Sequence, residues 1–260
     1  MTPTACALRG LRMGLWAGLL ASLLSSGCVT TSSGGNKPAP KEVQLQAQLD
    51  LARGYLEQRS WNRAKDPLQR ALQIDPRSAE AYALMGVMYQ GQNEPELAED
   101  AYRRALRHEP NHQLALNNYG SFLYARGRYE DALEPLRILV RDPSYRERAR
   151  AYENLGLTEL KVGNEDRARE AFERALSFNV VLPRSSLELA RLAFDAGDYQ
   201  NAAQYYEMFR TRARQTPGSL CLGLRLARLS GDTDQIASHE IALKNLFPNS
   251  AEARRCIEEG

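Results

Sequence analysis

The chain has 260 residues, 43% of them hydrophobic and 25% charged, with a formal charge of +2 from 34 bases and 32 acids. These values suit a folded globular protein and leave room for one repeat array or two small domains. Two of the bases, Arg9 and Arg12, fall in an acid-free opening stretch, so the rest of the chain is neutral. That excludes nucleic acid as its general partner, since such binding rests on neutralising phosphates.

Residues 1–27 read as a targeting segment. Arg9 and Arg12 precede Met13–Leu24, a run of 12 residues without a charge. A bilayer-spanning helix needs about 20 residues, so the run suits a signal-peptide core. The following Leu24-Ser25-Ser26-Gly27-Cys28 resembles the bacterial lipoprotein signal. That resemblance implies a lipid on Cys28 as the mature N-terminus and, with Val29 rather than Asp next, the outer membrane. One position departs from the pattern: Ser25 stands where Leu is usual, and Leu24 lies one residue earlier. The alternative is a plain secretory signal with Cys28 a bystander. Residues 28–44 form the tether. Val29–Lys41 is rich in Thr, Ser, Gly and Pro without apolar periodicity, which predicts a flexible segment. About 13 extended residues reach roughly 40 Å.

From Leu45 onward the chain repeats itself. The stretch Glu80–Pro110 shows the unit most clearly. Tyr82, Met85, Gly86 and Tyr89 share one face of a first helix, and Ala98, Tyr102 and Ala105 share one face of a second. Pro110 stands where the second helix must stop. This is the tetratricopeptide (TPR) pattern of 34 residues. Aligned on the small residue of the first helix, the units carry Ala52, Gly86, Gly120, Gly156, Ala190 and Leu224, at intervals of 34, 34, 36, 34 and 34. Small residues in the second helix follow at Ala64, Ala98, Ala132, Ala168 and Ala202, and large ones at Leu68, Tyr102, Leu136, Phe172 and Tyr206. Ile236 and Glu240 break both series in the last unit. Turn glycines occur at Gly127, Gly163, Gly197 and Gly231, and closing prolines at Pro76, Pro110, Pro143 and Pro248. The expected fold is all-α: a right-handed superhelix of six TPR units at 45–78, 79–112, 113–146, 149–182, 183–216 and 217–250. Two extra residues fall near Tyr145–Arg148. Residues 251–260 form a capping helix, as a solenoid end requires.

No catalytic constellation accompanies the repeats, so the expectation is a non-enzyme with no metal and no cofactor beyond an N-terminal lipid. His108 and His112 have a metal-like spacing, but Pro110 between them prevents one helix from presenting both; they read as exposed turn residues. Asp195 and Asp198 flank a turn glycine and support that turn. Beyond Cys28, Cys221 and Cys256 remain after cleavage. In repeat register they lie side by side, which fits either a disulfide or two buried thiols.

A TPR array leaves a groove along its first helices. Positions not used for packing are Asn117, Ser121, Tyr124, Arg150, Glu153, Leu157, Leu160, Leu187, Arg191 and Phe194. Apolar side chains, an amide and guanidinium groups together suit a segment of another protein, extended or helical. The other reading is that some of them touch only the next repeat.

Three stretches, LNNYGSFL at Leu116–Leu123, YRERARAYENLGL at Tyr145–Leu157 and LGLRLA at Leu222–Ala227, are more specific than a general TPR. With the six-unit order and the lipoprotein signal, they resemble the PilF/PilW family of type IV pilus biogenesis lipoproteins. The resemblance implies a non-enzymatic, outer-membrane pilotin on the periplasmic face. Its expected partner is the pilus secretin, which it helps to localise and to multimerise, with no nucleic acid and no small-molecule substrate. The alternative is a TPR adaptor for other cell-envelope assembly proteins.

Overall fold

The computed structural model describes residues 38–259. The signal peptide, Cys28 and most of the tether lie outside them. Thirteen helices and no strand occur among the described residues: α1 Lys41–Glu57, α2 Trp61–Ile74, α3 Ala79–Gly91, α4 Pro95–His108, α5 Gln113–Ala125, α6 Tyr129–Arg141, α7 Arg148–Lys161, α8 Glu165–Leu176, α9 Pro183–Asp195, α10 Tyr199–Arg210, α11 Pro217–Ser230, α12 Thr233–Leu246 and α13 Ala251–Glu258. Each odd helix from α1 to α11 packs against the even helix that follows it, and α1, α3, α5, α7 and α9 also touch in sequence as an inner row.

The tether is shorter than expected, because Lys41–Gln44 already belong to α1. After Pro40 the chain meets a run of residues compatible with a helix, with Glu42 in the first turn where the helix dipole favours an acid.

The six turns inside the units share one conformation. Arg59, Asn93, Gly127, Gly163, Gly197 and Gly231 all have positive φ, from 55° to 81°. Only four are glycine, so the glycine pattern under-reported the turn. Two second helices run straight through a proline, Pro67 in α2 and Pro135 in α6. Both side chains are buried, so packing holds a helix that proline would otherwise interrupt. The two extra residues fall between α6 and α7. There Asp142 accepts from Gln113 Nε2 at 2.6 Å and from the Ser144 amide at 2.8 Å, which pins the longer connection.

Packing follows the small-and-large pairing. Ala64, Ala98, Ala132, Ala168 and Ala202 are fully buried, as are Leu68, Tyr102 and Phe172. A Cβ built on Gly86 would collide with the Tyr102 ring, one on Gly120 would stand 2.9 Å from Leu136 Cγ, and one on Gly156 2.7 Å from Phe172 Cε1. The last unit solves the problem differently. Leu224 is fully buried where the others have a small residue. Space opens one position earlier, at Gly223, which lies against the Tyr206 hydroxyl and the His239 ring.

Gly86→Ala should destabilise the fold by about 1–3 kcal/mol through overpacking. Gly54→Ala, in α1, meets no neighbour within 4 Å and should stabilise by about 1 kcal/mol through helix propensity. Urea unfolding midpoints of both variants check the pair.

Burial, then the charge of Arg210, lowers the pKa of His239 from 6.5. The neutral ring is therefore the native form. Its stabilising effect is complete above pH 6.5 and falls as the pH drops below it, because the unfolded chain gains a proton that the native chain refuses. His239→Asn should flatten the decline in stability between pH 7 and pH 5.5 relative to the unmodified chain, read from unfolding curves at each pH.

Candidate functional site

The inner row carries two clefts that include residues expected of the groove. The first, of about 160 Å³, lies where α5, α7 and α9 meet. Ser121, Tyr124 and Leu157 line it together with Asn154, Thr158 and Arg184. Tyr124 sits edge-on to Tyr129 at 5.2 Å, which fixes its ring at the rim. Thr158 donates to the Asn154 backbone carbonyl at 2.7 Å, which engages its hydroxyl within α7. An apolar floor with an amide, a hydroxyl and an exposed guanidinium can hold an extended or helical polypeptide.

The second cleft, of about 490 Å³, lies towards the C-terminal end between α9, α11 and α13. Arg191 and Phe194 from the sequence reading line it, and Phe194 stacks edge-on to Tyr199 at 5.4 Å. Arg225, Glu252, Arg255 and Glu259 join them, and none of these was anticipated. No repeat pattern signals Glu252, Arg255 and Glu259, because the first two belong to α13 and the third caps it, all beyond the last unit. Cys221 and Cys256 form a disulfide in its wall, with their Cα atoms 5.8 Å apart. A third cleft, of about 460 Å³, opens between α1 and α2. It is lined by Val43, Ala47, Gln48, Arg70 and Ile74 among others, and the Gln48 Oε1 atom is buried without a hydrogen-bond partner.

The remaining expected groove residues separate into two groups. Leu187 is buried, and so is Leu157, although it also floors the first cleft. Leu157 packs with Phe172 and Leu189, and Leu187 with Tyr206 and Leu222. Each joins one unit to the next, because neighbouring first helices overlap further than a helical face alone reveals. Half-buried Leu160 belongs to the Leu157 group. Glu153 likewise serves the scaffold: its Oε2 accepts from the Ser185 amide at 3.0 Å and from the Ser185 hydroxyl at 2.7 Å. Asn117 is half-buried and donates to Asn118 Oδ1 at 3.3 Å. Arg150 is exposed and only loosely paired with Glu147, at 3.5 Å.

The histidines are structural. His112 caps α5, its Nδ1 accepting from the Ala115 amide, so it is a cap and not a free turn residue. His108 stacks on Tyr82 at 5.5 Å. Asp198 caps α10 through the Asn201 amide. Among the described residues no group of three or more His, Cys, Asp or Glu could hold a metal, and no helix is long and apolar enough to cross a membrane.

Comparison with known proteins places this architecture. Residues 84–146 and 153–219 match the tetratricopeptide repeat family. The chain is similar to the type IV pilus assembly protein PilF of Pseudomonas aeruginosa, 41% identical over 231 residues, which is 87% of this chain and 91% of that one. It superposes on a solved structure of Pseudomonas aeruginosa PilF with a TM-score of 0.77 at 40% identity, over 85% of this chain and 99% of the other. A solved structure of PilW, described as a widely conserved type IV pilus biogenesis factor, aligns with a TM-score of 0.64 at 26% identity, over 81% of this chain and 97% of that one.

Glu153→Ala should cost about 1–3 kcal/mol, the penalty for leaving the buried Ser185 groups without an acceptor. Glu153→Gln should cost less, since its carbonyl still accepts. Denaturant titration of the two variants distinguishes this scaffold role from a purely ligand-facing one, which would leave stability unchanged.

Proposed function

The chain belongs to the PilF family of type IV pilus assembly proteins, and from that premise we propose that it is an outer-membrane pilotin, lipidated on Cys28, that holds a segment of the pilus secretin. Its likeness over most of the chain is to TPR pilus biogenesis factors. The lipid supplies the address and the inner row supplies the cargo site. The observation that carries this reading is the likeness to PilF across nearly the whole chain. The clefts support it, because they combine apolar walls with hydrogen-bonding groups on a rigid frame.

Anchoring follows from membrane chemistry. One acyl chain binds a bilayer only marginally, whereas several chains on one cysteine hold it stably. The α1–α2 cleft is a second docking surface that this reading uses. It begins at Ala39, 11 residues after Cys28, a span of at most about 40 Å of extended chain.

Cys28→Ala should leave the fold intact, move the protein from the outer-membrane fraction to the soluble periplasmic fraction, and reduce secretin multimers in the outer membrane. Fractionation and gels that preserve the multimers read both effects. Undiminished multimers would refute the mechanism. Tyr124→Ala should weaken co-purification of the secretin about tenfold, as loss of an aromatic anchor does. Recovery of other envelope assembly proteins in place of pilus components would point to the adaptor reading.

A further inference from the structure

The helix α13 closes the C-terminal end of the array on few contacts. It has eight residues, too few to persist alone, and buries only Ala253 and Cys256. Two polar contacts hold it. Arg228 donates to the carbonyls of Cys256 and Ile257, at 3.1 Å each. Arg225 pairs with Glu259 at 2.8 Å, but both side chains are about half exposed, so that pair adds little. The covalent link is the Cys221–Cys256 disulfide to α11.

The same helix forms one wall of the 490 Å³ cleft, facing Arg191 and Phe194 of α9 across Gly218 of α11. A Cβ on Gly218 would stand 2.9 Å from Glu252 Oε1 and 3.1 Å from Arg191 Nη2. A carboxylate and a guanidinium thus border the space of a missing side chain. No ion pair joins them among the described residues; Arg191 instead approaches Glu188 at 3.4 Å. An anion in that space would meet Glu252, and a cation would meet Arg191. A peptide unit suits both, its N–H donating to Glu252 and its C=O accepting from Arg191.

We propose that this cleft is a redox-gated site for polypeptide main chain, able to take an extended stretch of a partner only while the Cys221–Cys256 disulfide holds α13 in place. The inference rests on the reading that the inner row holds a protein segment, and adds where one contact lies and what controls it. Opening requires a dithiol. Its thiolate attacks one sulfur to give a mixed disulfide, and its second thiol resolves that bond. Two electrons and two protons reach the protein as the Cys221 and Cys256 thiols, and the reductant leaves as its own disulfide. The α13 wall then depends on Arg228, two small buried side chains and the half-buried Ile257.

The test uses the purified full chain in oxidised, dithiothreitol-reduced and reoxidised forms. Random dodecapeptides displayed on phage are selected on the oxidised form, and those enriched are synthesised with blocked termini. A class of them should bind the oxidised chain, lose at least tenfold in affinity on reduction and in Gly218→Val, and keep its affinity in Gly54→Ala. Deuterium exchange should show the α13 amides losing protection on reduction while α5–α8 keep theirs, with reoxidation restoring both signals. Equal peptide binding by the reduced chain, surviving α13 protection, or a selection without any peptide sensitive to Gly218→Val would each overturn the proposal. The selection contains no pilus protein, so its failure leaves the secretin reading standing. Conversely, a secretin that ignores Tyr124→Ala leaves this result standing.

Discussion

One contact sets the geometry of the array: in the first five units a small residue of the first helix lies against a large residue sixteen positions later in the second. Gly86 with Tyr102 and Gly156 with Phe172 are the tightest pairs, and neither glycine could carry a side chain without moving its partner ring. The large residue has a second task. The Tyr102 ring lies 5.9 Å from that of Tyr119 and 5.8 Å from that of Phe122, both in the next unit. Phe172 likewise packs against Leu189 and Leu192 of the next unit. The side chain that closes one helix pair also joins it to its neighbour, so no unit can complete its core alone.

Where that contact fails, the structure changes its means. In the last unit Leu224 fills the place of the small residue, and Glu240 stands where an aromatic or aliphatic side chain is expected. Glu240 turns instead to Arg228, at 3.2 Å, and Lys244, at 3.7 Å. The same Arg228 reaches the carbonyls of α13. Apolar interlocking gives way to a guanidinium hub and a disulfide, the kind of crosslink an end with a small core needs. The C-terminal end is thus the part of the array whose integrity depends on chemistry outside the repeat.

The repeat register was legible because its small and large residues recur at fixed intervals. Less was legible where geometry comes from neighbours. Arg59 and Asn93 adopt the same positive φ as the turn glycines, which glycine counting misses. Pro67 and Pro135 continue their helices because buried packing outweighs the cost of proline. In the groove, a helical face identifies residues pointing inward but not how deeply the next first helix covers them. Leu157 and Leu187 are therefore core, and Tyr124 and Ser121 are left at the cleft. Glu153 bonds Ser185 from 32 positions away, a distance that no local pattern encodes. The α13 side chains lie beyond the repeat, so its register says nothing about them.

Polar contacts between units complete the picture of a preformed surface. Arg53 bonds Glu80, Arg128 bonds Glu99 at 2.8 Å, Arg137 bonds the buried Glu159 at 2.7 Å, and Glu153 bonds Ser185. Burial alone would raise the pKa of Glu99, but hydrogen bonds from Arg128 and Tyr119 and the charge of Arg103 hold it below the usual carboxylate value. It therefore stays ionised and paired. Each of these bonds ties one unit to the next, limiting flexing of the inner row. A groove held in this way has little ordering entropy left to lose when a partner arrives. Its affinity can then come from a few modest contacts, such as a ring, an amide and an Arg–Glu frame around a peptide unit.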